Sequence, residues 1–324
     1  MRLCFLLFLI SVFGTLPALE AQPSLPKSLP EEVREVQITS SKDHSIQPAL
    51  FYTPPAVASK PTPLLVFLHS WSTDYKTMGG LAEALAESRR RGWAFMDPNF
   101  RGPNDHPDAC ASDLAVADVL DSVVYARKAA RIDARHIYLL GSSGGGHMAL
   151  MMAVRSPAVW TAVSVWVPIT DLAAWYGFSK ETGSQYYKMM EQCFGGPPED
   201  PDRGPEYHRR SPLGFLSRAR KLRITIDAGL HDGHDRNAVP LRQSLNAFNA
   251  LARANGFADK VLADADVESM TREARIPAHL ANEREDDPAR QQKILFRRRA
   301  GPVTLTIFDG GHSLDVLTGI RYFE

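Results

Sequence analysis

Apolar residues follow two alternating rhythms along this chain. "KPTPLLVFLHS" (60–70), "HIYLLG" (136–141) and "TAVSVWV" (161–167) are short runs that are apolar on both sides of an extended chain. Between them lie stretches with helical spacing, at 77–90, 112–130 and 144–154. A strand that is apolar on both faces needs cover on both, and interleaved helices supply it. The pattern therefore predicts an α/β fold with a mostly parallel central sheet and helices on both faces. "REVQITS" (34–40) and "SIQPALFYTP" (45–54) precede this core as two strands, and Pro48 marks the second as an edge strand. "WAFMDPN" (93–99), "KLRITIDAGL" (221–230) and "PVTLTIFDGGH" (302–312) complete the expected strands, with further helices at 239–255 and 314–323.

The rhythm breaks twice. Residues 169–220 are rich in Tyr, Trp, Gly and Pro and show no strand pattern. They read as a partly helical, cap-like excursion over the sheet's carboxyl edge. Residues 259–300 are highly charged, and "EREDDPARQQK" (283–293) reads as solvated, so this stretch is expected to be an insertion. No repeat or second core is visible, which leaves one domain over 34–324.

The first residues change the picture of where the protein works. After Met1-Arg2, "LCFLLFLISVFG" is an apolar run too short to span a bilayer comfortably, and "TLPALEA" brings Pro17 and small residues up to Ala21. The expectation is a signal peptide over 1–21, a Pro-rich leader over 22–33 and an exported protein, periplasmic or extracellular. Cys4 leaves with the signal, and Cys110 and Cys193 remain as a possible disulfide in an oxidising compartment. The 324 residues carry 37 Lys+Arg and 37 Asp+Glu, so no charge excess points to nucleic acid or to stable membrane association after signal removal. There is no CxxC or HExxH, so neither a metal nor any other cofactor is expected.

Candidate chemistry centres on "IYLLGSSGGGHMAL" (137–150). Gly141-Ser142-Ser143-Gly144-Gly145 fits G-x-S-x-G between a predicted strand and a predicted helix. The sharp turn crowds the residues two before and two after its centre. Glycines meet that need around Ser143, whereas centring on Ser142 puts Leu140 at a crowded position. A phosphate-binding loop lacks its GxxxxGK[ST] here. A serine nucleophile needs a base, and His312 follows the last strand in "FDGGHS". The base needs an orienting acid. Asp232, just past the strand at 221–230, is chosen, with Asp235 as the alternative. Oxyanion donors are expected from the backbone N–H of Gly144 and, in the loop "FLHSWSTDY", of Trp71, with Ser72 next. His69 reads as a brace for that loop. Arg101, Trp166, Trp175, Tyr176 and His234 are candidates for the substrate pocket, beside Trp71, Tyr186 and Tyr187.

These residues resemble the catalytic domain of the prolyl oligopeptidase family, within the α/β-hydrolase fold, over roughly residues 60–320. "NFRGPNDHPDACASDLAVADVLDSVVYA" (99–126) looks like the family's Arg-Gly segment and following helix. "SPLGFLSRARKLRITIDAGLHD" (211–232) and "VPLRQSLNAFNAL" (239–251) look like its acid-bearing strand and the helix after it. By position the resemblance places the family's triad on Ser143, Asp232 and His312. Three features depart from it. Gly146-His147 stand where the family has a large aromatic, "GHDRNA" lengthens the acid loop, and the residues before 60 are too few for the family's propeller. The resemblance implies a serine hydrolase acting on small-molecule or peptide esters and amides, and the N-terminal segment adds export. Two other readings stay open: an esterase for acylated carbohydrates, and a catalytically silent binding module on the same fold.

Overall fold

The computed structural model describes residues 30–78, 80–234 and 239–324. The expected signal peptide, residues 22–29 of the leader, and Asp235 lie outside these residues.

Nine strands among the described residues form one sheet, in the order β1-β2-β4-β3-β5-β6-β7-β9-β8. They are β1 (Arg34–Thr39), β2 (Ile46–Tyr52), β3 (Thr62–Leu68), β4 (Ala94–Pro98), β5 (Ile132–Ser142), β6 (Ala162–Trp166), β7 (Arg223–Gly229), β8 (Ile294–Ala300) and β9 (Val303–Phe308). The run from β4 to β9 is parallel, and the outer pairs β1–β2, β2–β4 and β8–β9 are antiparallel. This is the α/β-hydrolase arrangement, with an open sheet and helical layers.

Helices α1 (Leu81–Arg91) and α9 (Val316–Arg321) pack together on one face. On the other lie α2 (Asp113–Ala129), α3 (Gly144–Arg155) and α7 (Arg242–Ala254). The local sequence explains where these helices start. The Ser112 hydroxyl accepts the Ala115 N–H of α2 at 3.1 Å, and Arg127 and Lys128 sit at the negative end of that helix. Asp315 caps α9 in the same way, accepting the Thr318 N–H at 3.0 Å. Residues Gly144 to Val154 of α3 are all buried, which fits a helix wedged behind the centre of the sheet.

Two expectations are corrected. β2 is not an edge strand, because it lies between β1 and β4. Pro48 is tolerated because it sits where β4 stops: its carbonyl accepts the Asn99 N–H at 3.0 Å, and its missing donor falls beyond the paired strand. The Asn99 carbonyl left over is within 2.8 Å of His69 Nε2. The second correction concerns the charged stretch. Its last seven residues, "ILFRRRA", are the edge strand β8. Ile294 and Phe296 point into the core, and the Arg298 guanidinium lies 5.1 Å over the Phe296 ring. A cation on an aliphatic stem thus serves as an apolar cover, and the arginine run hides the alternation.

The excursion forms α4 (Leu172–Glu181), α5 (Tyr186–Phe194), α6 (Gly204–Arg209) and a 3-10 segment, Pro212–Ala219. It owns a second hydrophobic cluster, separate from the core of the sheet, that includes Trp71, Trp175, Tyr176, Phe194 and Tyr207. A disulfide joins Cys110 to Cys193 within this cluster, with Cα atoms 6.4 Å apart.

Candidate active site

The carboxyl ends of β5, β7 and β9 gather the residues on which the chemistry turns. Ser143 stands between β5 and α3 with φ 57° and ψ −118°, a strained conformation for a residue with a side chain. Its N–H donates to the Trp166 carbonyl of β6 at 2.9 Å, which pins the turn to the neighbouring strand. The glycines around it are required by close approach. A methyl group on Gly141 would strike the Gly145 carbonyl, and one on Gly145 would strike the Leu68 carbonyl.

Asp232 lies three residues past the end of β7 and is buried. Both of its carboxylate oxygens are 3.0 Å from Nδ1 of His312, and Oδ1 also accepts the Val239 N–H at 3.0 Å. The loop after β9 reaches the acid because the two strand ends are zipped together. Leu230 N–H donates to the Phe308 carbonyl and His231 N–H to the Gly310 carbonyl, each at 2.9 Å. Gly229 permits this approach, since a methyl group there would meet the carbonyls of Gly310 and Gly311. With Nδ1 turned toward the carboxylate, Nε2 is the ring nitrogen left to exchange protons.

Trp71 lies against the start of α3: a methyl group on Gly144 would run into the Trp71 backbone nitrogen and Cα. The Gly144 N–H is among the four that a helix start leaves open. Two features missing from the sequence reading hold this corner. The Asn104 side chain and backbone both donate to the Trp71 carbonyl, at 3.1 and 2.8 Å, while its Oδ1 accepts the Cys110 N–H at 2.6 Å. The Ser70 hydroxyl donates to the Ser142 carbonyl at 3.2 Å. Neither has a motif that spacing would reveal. Ser72 is on the exposed side of the turn. His69 is buried and stacked on Phe100 with centroids 3.9 Å apart; burial lowers its pKa, which suits a neutral brace. A small cavity of about 140 Å³ adjoins the elbow, walled by Phe67, Ser70, Thr77, Ser142 and Leu314.

The expected pocket residues have other partners. Arg101 donates to Asp118 at 2.6 Å and to Asp43 at 2.8 Å, with its guanidinium buried among them, so it serves the β1 side of the fold. Trp166 lies inside the sheet layer against Phe308. Trp175 packs between Trp71 and Tyr186, each with centroids 4.9 Å away. Tyr176 is buried and donates its hydroxyl to Glu191 at 2.6 Å. Tyr187 packs edge-on against that ring. His234 is exposed, with Nε2 3.2 Å from the Thr271 carbonyl of α8 (Asp264–Glu273). Packing explains these placements: large rings on loops are drawn into the excursion's own core. His147, four residues past Ser143, is also buried. Its Nε2–H donates to the Arg210 carbonyl at 2.7 Å, tying the excursion to α3, and burial pushes its pKa down to about 4.

Comparison with known proteins agrees with this architecture. A puromycin-hydrolyzing peptidase of Mycobacterium tuberculosis is similar over 92% of this chain and 40% of its own, with 18% identity and a TM-score of 0.61. Oligopeptidase B from Leishmania major is similar over 90% of this chain and 34% of its own, with 14% identity and a TM-score of 0.55. For the Pyrococcus horikoshii acylaminoacyl peptidase the figures are 69% and 35%, with 18% identity and a TM-score of 0.54. The chain thus spans well under half the length of each, and at such identity the likeness concerns the fold. The family model described as the prolyl oligopeptidase family matches residues 85–268, a span that holds Ser143 and Asp232 and ends before His312. With more than half of its length covered by that match, the chain belongs to the prolyl oligopeptidase family of serine hydrolases.

Proposed function

We propose that Ser143, Asp232 and His312 form the triad of an exported hydrolase that cleaves ester or amide bonds in small molecules or short peptides. The observation that carries this reading is the bond of His312 Nδ1 to both oxygens of buried Asp232, on the same sheet edge as the strained Ser143 turn. Asp232 fixes the His312 tautomer and stabilises the imidazolium that forms. Nε2 takes the Ser143 proton, and Oγ attacks the substrate carbonyl. The N–H groups of Trp71 and Gly144 hold the oxyanion. His312 then returns the proton to the leaving group, and water releases the acyl group from Ser143 by the same steps in reverse roles. Each proton moves among Ser143, His312, the substrate and water, and His312 returns one to Ser143 as the acyl group leaves, so the chain's own residues suffice for this cycle.

The Cys110–Cys193 bond supports the export part of the proposal, because disulfides persist in oxidising compartments. The engagement of Trp166, Trp175 and Tyr176 in packing weighs against an acylated-carbohydrate substrate, whose sugar faces stack on free aromatic rings. The test is a fluorophosphonate probe followed by a substrate panel. Labelling should fall on Ser143, and Ser143→Ala should lower turnover of p-nitrophenyl acetate by on the order of 10⁶. An unlabelled, inactive protein would return the silent binding module to first place. Turnover of dipeptide amides would assign a peptidase, and acetate release from acetylated xylan would restore the carbohydrate esterase.

A further inference from the structure

The segment 283–293 was expected to be solvated, yet Arg290 within it is buried, and its side chain is 2% exposed. Nη1 lies 2.9 Å from Oδ1 of Asp227, itself buried in β7. The guanidinium lies 5.1 Å over the Trp166 ring. These two contacts fall on the two strands that matter. Asp227 is on β7, which ends three residues before the acid Asp232, and the Trp166 carbonyl of β6 accepts the Ser143 N–H. Asp227 and Trp166 are also register partners across β6 and β7, and the Asp227 carbonyl accepts the Val167 N–H at 2.8 Å.

The residues beside Arg290 grip the loop that carries His312. The Lys293 carbonyl accepts the Asp309 N–H at 2.8 Å, and the Gln291 N–H donates to Asp315 Oδ2 at 3.2 Å. Gln292 Nε2 is 3.5 Å from the Ser313 hydroxyl. Three consecutive residues therefore bracket 309–315, while the fourth anchors the bracket to β6, whose Trp166 carbonyl pins the serine turn, and to β7, which leads to the acid. We infer that Arg290 is a positioning residue: it fixes the distance between the His312 loop and the Ser143–Asp232 platform. This inference rests on the triad proposed above.

A buried ion pair could hold the fold together without serving the reaction, so the test separates the two. Arg290→Met alone leaves Asp227 buried and unpaired and risks misfolding. The double variant Asp227→Asn/Arg290→Met removes both charges while keeping the packing. It should fold, with kcat on p-nitrophenyl acetate lowered about 10- to 100-fold and KM nearly unchanged. The acid limb of its pH–rate profile should move by about 0.5 unit or more, because the His312–Asp232 contact loosens. Should the double variant not fold, Arg290→Lys decides: it keeps the charge but loses the planar fork, and should fold with kcat several-fold lower. Parent kcat and an unmoved pH profile in whichever variant folds would overturn the inference. Fluorophosphonate labelling keeps the two questions apart. A parent protein that does not label at Ser143 overturns the hydrolase reading, whereas parent and variant labelling at equal rates overturn only the role of Arg290.

Discussion

The excursion at 169–220 and the charged stretch at 259–300 both interrupt the strand–helix rhythm, and each behaves opposite to its composition. The aromatic excursion, with rings suited to a ligand, turns them inward: Trp175, Tyr176, Phe194 and Tyr207 make its private core. The charged stretch, suited to water, contributes the edge strand β8 and a buried arginine beneath the candidate triad. The difference teaches that residue type sets what a side chain is able to do, while the partners within reach set what it does. A ring on a loop finds other rings. An arginine beside a buried aspartate is drawn in.

The bond between Cys110 and Cys193 offers the hardest test of the excursion as a packed unit. It closes a loop with a sequence separation of 83. Chain-entropy reasoning assigns such a loop about 4–5 kcal/mol. Cys110→Ala/Cys193→Ala should therefore unfold at much lower urea than the parent, with dithiothreitol on the parent giving a similar loss. Activity should fall as well, because the Cys110 N–H holds Asn104, and Asn104 holds the Trp71 carbonyl beside Gly144. Unchanged midpoints with and without reductant would mean that the excursion holds itself in place and that the comparison with the charged stretch is less sharp.

The sheet was legible because its signals are local. Strands that are apolar on both faces and helices opened by Ser112 carry their pattern in consecutive residues. The Ser143 turn was legible for the same reason: its steric demands fall on Gly141 and Gly145, two positions either side. Asp232 and His312 were reachable through chain order, since each follows a recognisable strand. The partners of the expected pocket residues were not legible, because Arg101 meets Asp43 and Asp118 and Tyr176 meets Glu191 through tertiary contacts that leave no spacing in the sequence. β8 was hidden by "RRR", where hydrophobic alternation passes through a guanidinium stem. Arg290 was hidden within "EREDDPARQQK", whose other residues are polar or small and read as solvent-facing.

A smaller effect sharpens how the excursion is tied down. His147 donates to the Arg210 carbonyl from a buried position, with its pKa depressed to about 4 against an ordinary value of 6.5. The unfolded chain therefore takes up a proton below pH 6.5 that the folded protein refuses until near pH 4. Stability from this group is complete above pH 6.5 and is lost as pH falls through that window, by about 3 kcal/mol in all. His147→Gln keeps an N–H donor and does not titrate. Urea unfolding at pH 7, 5.5 and 4 should show a flatter decline for the variant than for the parent. Parallel declines would mean that the ring is protonated in the folded state and that the clasp on Arg210 is not what acid weakens.

The smallest effect bears most directly on whether the excursion's rings pack or bind. Tyr176→Phe removes one hydroxyl, which donates to Glu191 at 2.6 Å, and leaves the ring itself among Tyr187 and Tyr207. Glu191 is only partly buried and regains water when the bond is lost, so the cost should be about 1 kcal/mol, seen as a modest shift in the urea midpoint. Turnover of p-nitrophenyl acetate and of dipeptide amides should stay within about twofold of the parent, because a ring that serves only its neighbours has no separate bond to the transition state. A variant with parent stability and a clear rise in KM would reverse the assignment. The hydroxyl would then be reaching substrate rather than Glu191, and the excursion would be a binding surface after all.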